Sequence, residues 1–466
     1  MHTLTGLFSN CPIRSFRMTS DMLLKQNFSL EQIRLGPDFV DRLIRLLAFD
    51  PASDDIIGEY LLAFDVCHFP FIAYTTAKQL LKTRPSCLLL YNAYGLAESY
   101  RGNSVKAGQV LSMALSIRQE GSVLSAPEGL KLFQSWVWES LHRSEPKEAL
   151  WRLVSTDGQI SRRLTQEQDT SPNEDLLVRA GAVFSKRCEE ALLRQDYEAA
   201  ILSTSLLALL AYLSSGCKVE LAIDVHRNLS AWFSSHALSD SASAELHAQT
   251  LVALLTYHVA HAPIVQPALV RRTLEPLLAQ FPNNTLLLSV YAANEARFAI
   301  DDRVRDIMHN RALRGLSETS SIGWSFAIHY ESLRNTHAGS TSHSIRSLYK
   351  RATGSTGAHC PALWRSYLQF EVAQLHKEMA VEVSKKPHKE QMERTRRSKV
   401  EDAKERVRET IYAALRNIPW CKDVTMVAFT EASDALDKRT RWELCKIMQE
   451  KELRFYVEPH EAEVHL

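Results

Sequence analysis

Apolar residues recur at three- and four-residue intervals through nearly all of the 466-residue chain, and alternating strand-like runs bounded by turn signals are scarce. That spacing puts the apolar positions on one face of a helix, so the pattern predicts an all-α protein. Breakers interrupt the periodicity at Gly36-Pro37, Pro51, Arg84-Pro85, Gly102-Asn103, Pro282-Asn283 and Pro361, and cut the chain into pieces about one helix long. Such punctuation predicts helical hairpins in series, that is, an α-solenoid of antiparallel helix pairs.

The chain also resembles itself. In LLLYNAYGLAESYRGN (Leu88 to Asn103), Tyr91 is followed three positions on by Tyr94 and four further by Glu98. The same spacing returns as Trp364, Tyr367 and Glu371, and more loosely as Leu288, Tyr291 and Glu295 and as Trp324, Ala327 and Glu331. Two weaker copies are Leu132, Ser135 and Glu139, and Val424, Val427 and Glu431, where the aromatics have drifted to Trp136, Trp138 and Phe429. A second helix with a small residue follows the good copies, as at Ala114, Ala352 and Ala414, where paired helices approach most closely. Positions i, i+3 and i+7 share a helix face, so each triplet is a stripe turned toward a neighbour. The rings supply buried area, and the glutamate at the seam's edge is expected to accept a hydrogen bond or ion pair from the adjoining repeat. One hairpin cannot bury such a face alone, so copies must stack.

These signals divide the chain into an N-terminal helical segment (1–68), a first set of repeats (69–153), an exposed polar loop (154–176), a central helical block (177–284) and a second set of repeats (285–376). A charged, disordered insertion (377–403) and a closing repeat with its C-terminal cap (404–466) follow. The loop assignment rests on the polar run Ser155 to Asp175. The insertion rests on the charge-rich run Lys377 to Glu405, which separates two helices of the Trp364 repeat where a short turn suffices.

Composition narrows the function. With 55 Lys plus Arg against 54 Asp plus Glu, the net charge of +1 gives no general pull toward phosphate backbones, so RNA contact is expected to be indirect or local. The eight cysteines are scattered and form no CxxC pair, which speaks against a zinc site or a disulfide framework and for a reducing compartment. The run Ala199 to Leu213 is too short to span a bilayer and reads as a buried core helix. The first residues, MHTLTGLFSNCPIRSF, lack the pattern of a secretory signal, and no membrane association is expected.

Candidate chemistry is sparse. His258 and His261 share a helix face, but no third ligand is near, and imidazole close to a helix C-terminus is ordinary. No phosphate loop, nucleophile elbow or HExxH occurs, and the Asp54-Asp55 and Asp301-Asp302 pairs sit at apparent helix ends; catalytic, metal and cofactor sites are all expected to be absent. Aromatic stripes can stack single-stranded bases, but these lack interleaved cations and read as core. One basic tract, Lys385-Lys386 with Arg396-Arg397, reads either as an importin-type address or as a solvated charged loop.

The quoted repeat LLLYNAYGLAESYRGN with AGQVLSMALSI, then FQSWVWESL, and above all the ending IYAALRNIPWCKDVTMVAFTEASDAL and LCKIMQEKELRFYVEP, resemble the C-terminal half-a-TPR (HAT) region of the nuclear RNAi-defective-two (NRDE-2-like) family, over roughly Phe69 to Pro459. The resemblance implies a nuclear, non-enzymatic scaffold in RNA surveillance and small-RNA-directed silencing with heterochromatin formation. It also implies an exosome-linked RNA helicase and spliceosomal proteins as partners. Family members carry a long charged arm ahead of the repeats, whereas this sequence opens almost directly into helices. The rival reading is a direct RNA-binding HAT-repeat factor of pre-mRNA splicing or 3′-end processing.

Overall fold

A computed structural model describes residues 37–50, 54–117, 124, 126–156, 172–297, 301–308, 321–337, 342–384 and 390–453. Helices make up nearly all of them, and no β-strand occurs among the described residues. The chain divides into two compact units, Met1–Val304 and Arg305–Leu466.

In the first unit the helices are α1 (Pro37–Ala48), α2 (Asp55–His68), α3 (Ala73–Thr83), α4 (Leu88–Tyr100), α5 (Ser104–Leu115), α6 (Pro127–His142), α7 (Pro146–Val154), α8 (Glu174–Leu193), α9 (Tyr197–Ser214), α10 (Val219–Ser235), α11 (Ala242–His261), α12 (Pro267–Gln280) and α13 (Thr285–Ala296). A short α14 (Asp301–Ile307) follows. The second unit holds α15 (Ser321–His337), α16 (Ser342–Thr353), α17 (Pro361–Ser384), α18 (Glu390–Asn417), α19 (Lys422–Thr430) and α20 (Lys438–Glu450).

Local chemistry sets the helix starts. Prolines open α6, α7 and α12, where a missing N–H costs nothing. Side chains of Asp54, Asp196, Ser241, Asn284 and Asp437 accept from first-turn amides. Three of the turns between paired helices share one form. Between α4 and α5, α6 and α7, and α8 and α9 the chain reverses over three residues, the middle one left-handed: Gly102 (φ 83°), Ser144 (φ 63°) and Gln195 (φ 61°). The residue after it donates its amide five positions back, Asn103 to Glu98, Glu145 to Ser140 and Asp196 to Ala191, at 2.9–3.0 Å. This closes each helix with a Schellman-type bond, and only Gly102 takes up the left-handed backbone without a side-chain cost.

The packing is two-layered. Helices α2, α4, α6, α9, α11 and α13 stack in sequence on one another, and each also pairs with a chain neighbour that forms the second layer. The apolar α9 lies within this stack, packed by α6, α8, α10 and α11, with Ala200, Leu206, Ala208 and Tyr212 fully buried. An aromatic group of Phe133, Trp136 and Phe184, with ring centroids about 6 Å apart, fills the contact of α6 and α8. In the second unit α15 pairs with α16 and α17 with α18, and α19 packs on both members of the latter pair.

Two expectations need correction. Most of the polar loop, residues 157–171, lies outside the described residues, but α8 begins at Glu174, so the loop does not reach 176. The charged stretch 377–403 is not a detached insertion. Lys377–Ser384 continues α17, α18 starts at Glu390, and only 385–389 lie outside the described residues. Its composition hides the start of a sparse helical stripe: Val400 and Ala403, continued by Val407 and Ile411, join Leu368, Leu375 and Leu444 in one core, and Met379 packs against it.

The first unit also buries two imidazoles. His226 of α10 and His247 of α11 lie with ring centroids 4.9 Å apart, and His247 Nε2 is bonded to the His226 carbonyl at 3.0 Å. Neither Nδ1 has a hydrogen-bond partner. Burial holds both rings neutral, lowering His226 well below the usual histidine range and His247 to about 4. The unfolded chain takes up protons near pH 6.5 and the folded one does not, so this contribution is complete above that pH and is lost as the pH falls toward 4. Denaturant melts are expected to show unfolding free energy falling by on the order of 2 kcal/mol between pH 7.5 and 4.5 from His247. His247→Gln, which keeps a donor for the carbonyl, is expected to flatten that slope; an unchanged slope would assign it elsewhere.

Candidate functional site

The best-formed copy of the repeated triplet lies on α17. Glu371 is only 1% exposed, yet its carboxylate is gripped from the preceding hairpin: Arg346 of α16 donates through Nε to Oε1 at 2.6 Å and through Nη2 to Oε2 at 3.0 Å. Arg406 of α18 adds a cation 3.7 Å from Oε2. The bidentate fork raises the Arg346 guanidinium above its ordinary value. One turn earlier, Tyr367 is buried and stacks on Tyr349 of α16 at 4.9 Å. Burial and then the Glu371 charge push its hydroxyl up to about 12. Trp364 is buried too and sends its indole N–H to the Ala358 carbonyl at 2.7 Å.

The same clamp recurs. Glu295 on α13 is fully buried and accepts from Arg271 of α12 at 2.9 Å, with Arg303 at 3.5 Å and Asn294 at 3.0 Å. Burial followed by the Glu295 charge pushes its stripe neighbour Tyr291 up to about 12. Glu331 on α15 meets Arg305 at 3.6 Å, Arg334 at 3.4 Å and the Ser344 hydroxyl at 3.1 Å, next to the buried Trp324. In these three copies an arginine lies 24 (Arg271 to Glu295), 25 (Arg346 to Glu371) or 26 (Arg305 to Glu331) residues before the acid. Sequence reasoning located the acids but missed this arginine, whose recurrence at a near-constant offset was the available signal.

In the N-terminal copies the cation comes instead from the following helix. Glu98 on α4 accepts from Lys106 Nζ at 2.6 Å and Asn103 Nδ2 at 2.9 Å, while Lys106 also lies 4.0 Å from the Tyr74 ring and 5.5 Å from that of Tyr94. Burial pushes the Glu98 carboxyl up, but these hydrogen bonds outweigh it and hold the group below its ordinary value. Tyr91 is half-buried and packs on the same cluster as Tyr94. Glu139 on α6 pairs with Arg152 at 2.7 Å and Arg143 at 2.8 Å, and the buried Arg152 also donates to the Trp136 carbonyl and to Glu148.

The acids therefore sit inside the seam rather than at its edge. The row includes members the spacing did not find, Glu59 on α2, 3.9 Å from Lys131, and Glu245 on α11, which accepts from Asn284 at 2.8 Å. Nearby, the fully buried Asp65 is held by Arg45 and Thr76, each at 2.6 Å. Glu431 does not belong to the row. Helix α19 ends at Thr430, so Glu431 caps it in solvent and takes a hydrogen bond from Gln369 at 3.1 Å. Lys385 and Lys386 lie outside the described residues, and Arg396 and Arg397 fall within α18. His258 and His261 diverge: one bonds the Tyr212 hydroxyl at 3.1 Å, the other the Tyr257 carbonyl at 3.1 Å. No cluster of three metal-ligating side chains occurs among the described residues. Buried carboxylates matched to fixed cations hold geometry.

Removing one side of such a clamp leaves the other charge unmatched. Glu371→Ala is expected to cost about 3–5 kcal/mol, and Arg346→Met with Glu371→Leu together far less. Trp364→Ala is expected to cost about 3–5 kcal/mol. A denaturant melt shifted by less than about 1 kcal/mol in either single variant would place the seam elsewhere.

Comparison with known proteins agrees with this geometry. The PRP39 N-terminal HAT repeat matches residues 243–415, a span that carries Glu245, Glu295, Glu331 and Glu371. The nuclear exosome regulator NRDE2 of Mus musculus is 27% identical over 239 residues, covering 46% of this chain and 17% of that protein. Its Homo sapiens counterpart is 26% identical over 291 residues, covering 55% and 22%. The matched region thus spans about a fifth of the length of these curated relatives. Repeated triplets, stacked hairpins and both comparisons converge on an all-α, helical-repeat solenoid fold that is similar to the PRP39 HAT repeat and to part of NRDE2.

Proposed function

We propose that this protein is a non-enzymatic nuclear scaffold of RNA surveillance and RNA processing that holds partner proteins on its helical-repeat surface. The observation that carries the reading is the row of clamped glutamates. It fixes successive hairpins in register and leaves their outer faces for extended partner segments, a task that stacked repeats perform well. The relatives named as nuclear exosome regulators support the nuclear setting and the link to RNA turnover. On this reading the partners are an exosome-linked RNA helicase and spliceosomal proteins, RNA arrives through them, and the pathway extends to small-RNA-directed silencing and heterochromatin formation. The near-neutral charge supports indirect RNA contact. The match to the PRP39 repeat favours one rival, a HAT factor that binds RNA directly in splicing or 3′-end processing.

A crosslinked pull-down from nuclear extract, with and without nuclease, is expected to retain helicase or spliceosomal proteins after nuclease, and the purified chain is expected to bind single-stranded RNA weakly. Tight, salt-sensitive RNA binding with partners lost on nuclease treatment would select the rival. Lys385, Lys386, Arg396 and Arg397 serve nuclear import on this reading. Changing all four to Ala is expected to move a tagged protein toward the cytoplasm, and unchanged nuclear retention would leave them as solvated charge.

A further inference from the structure

The Trp364 repeat carries a groove that its clamp does not fill. About 600 Å³ lies between α16, the start of α17 and the second half of α18. Trp364 and Tyr367 form its floor, Arg346 and Lys350 line one side, and Arg406 and Arg416 line the other. The volume suits an anchoring side chain and its flanking residues.

The four cations differ in what they already hold. Arg346 and Arg406 face Glu371, as described above. The side chains of Lys350 and Arg416 are exposed and make no hydrogen bond or ion pair with any described residue. Two carboxylates also line the groove: Glu405, bonded to Arg408 at 2.9 Å, and Glu409. This mixture discriminates between anions. A nucleic-acid strand would carry its closely spaced phosphates past both acids, and the floor rings are too buried to receive stacked bases. A peptide with separated carboxylates can meet the two uncommitted cations and avoid the acids. The ring of Tyr412 and the methyl of Ala413, also on the wall, offer an apolar ledge between them.

We propose that this groove docks an acidic segment of a partner protein, with Lys350 and Arg416 binding its carboxylates and an intervening apolar side chain resting on Tyr412 and Ala413. The inference rests on the scaffold reading and gives it one address and one partner chemistry.

The test is fluorescence anisotropy on the full chain with a labelled peptide alternating glutamate and leucine, its lysine–leucine counterpart, and an oligouridylate of equal length. The acidic peptide is expected to bind, to weaken with added salt, and to lose at least about tenfold in affinity with Lys350→Glu and Arg416→Glu combined. Both positions are exposed, so circular dichroism is expected to be unchanged, and reversal away from the groove, Lys438→Glu with Lys451→Glu, is expected to leave binding intact. Equal affinity for the two peptides, or acidic-peptide binding that survives the groove reversal, would overturn the proposal. Tighter oligouridylate binding abolished by that reversal would give the groove to RNA. Undiminished capture of nuclear partners by the groove variant would reject this address while leaving the scaffold intact, whereas failure of the unmodified chain to capture any would remove the scaffold itself.

Discussion

A carboxylate inside a helical seam is tolerable only if a cation reaches it. Desolvating a lone carboxylate costs several kcal/mol, enough to offset what an aromatic neighbour gains by burial. Once an acid is placed at the middle of a seam, the partner's helix, height and rotation are largely decided. Arg271 must reach Glu295 and Arg346 must reach Glu371, each from the helix before. Apolar area drives the hairpins together, and the ion pairs select one way of stacking among several that bury similar area.

Where the cation comes from changes what each pair governs. In the copies at Glu98 and Glu139 it lies on the next helix of the same hairpin, so those pairs fix the angle within a repeat. At Glu295 and Glu371 one cation lies on the helix before and a second, Arg303 or Arg406, on the helix after, so those acids tie both neighbours together. Internal geometry and stacking geometry are thus set by the same residue type with different partners.

The legible part of the site was what helical periodicity alone dictates. Trp364, Tyr367 and Glu371 share a face because three and seven residues are close to whole turns, and this holds wherever the helix sits. Partners escaped because an offset of 24 to 26 residues depends on turn length and helix length together. Glu59 and Glu245 escaped for a related reason. Their helices begin at Asp55 and Ala242, four and three residues before the acid, so no full seven-residue stripe precedes it within the helix. Glu431 shows the converse error: the spacing is correct, but α19 stops one residue short. In Lys377 to Glu405 the abundance of charge hid Met379, Val400 and Ala403, which join a buried face continued by Val407 and Ile411. The His226 and His247 pair has no motif at all, since buried neutral imidazoles are defined by what surrounds them.

The three-residue reversals at Gly102, Ser144 and Gln195 share one backbone solution, closed by main-chain hydrogen bonds and reached with or without a glycine at the bend. A joint specified by main chain alone is a joint that can be copied. Duplicating or deleting a hairpin in such a chain requires no new turn to be invented; the incoming unit needs only an acid and a cation that match those of its neighbours. The number of repeats is therefore free to drift between relatives, while the pairing of charges across each junction is what a newly inserted repeat has to satisfy.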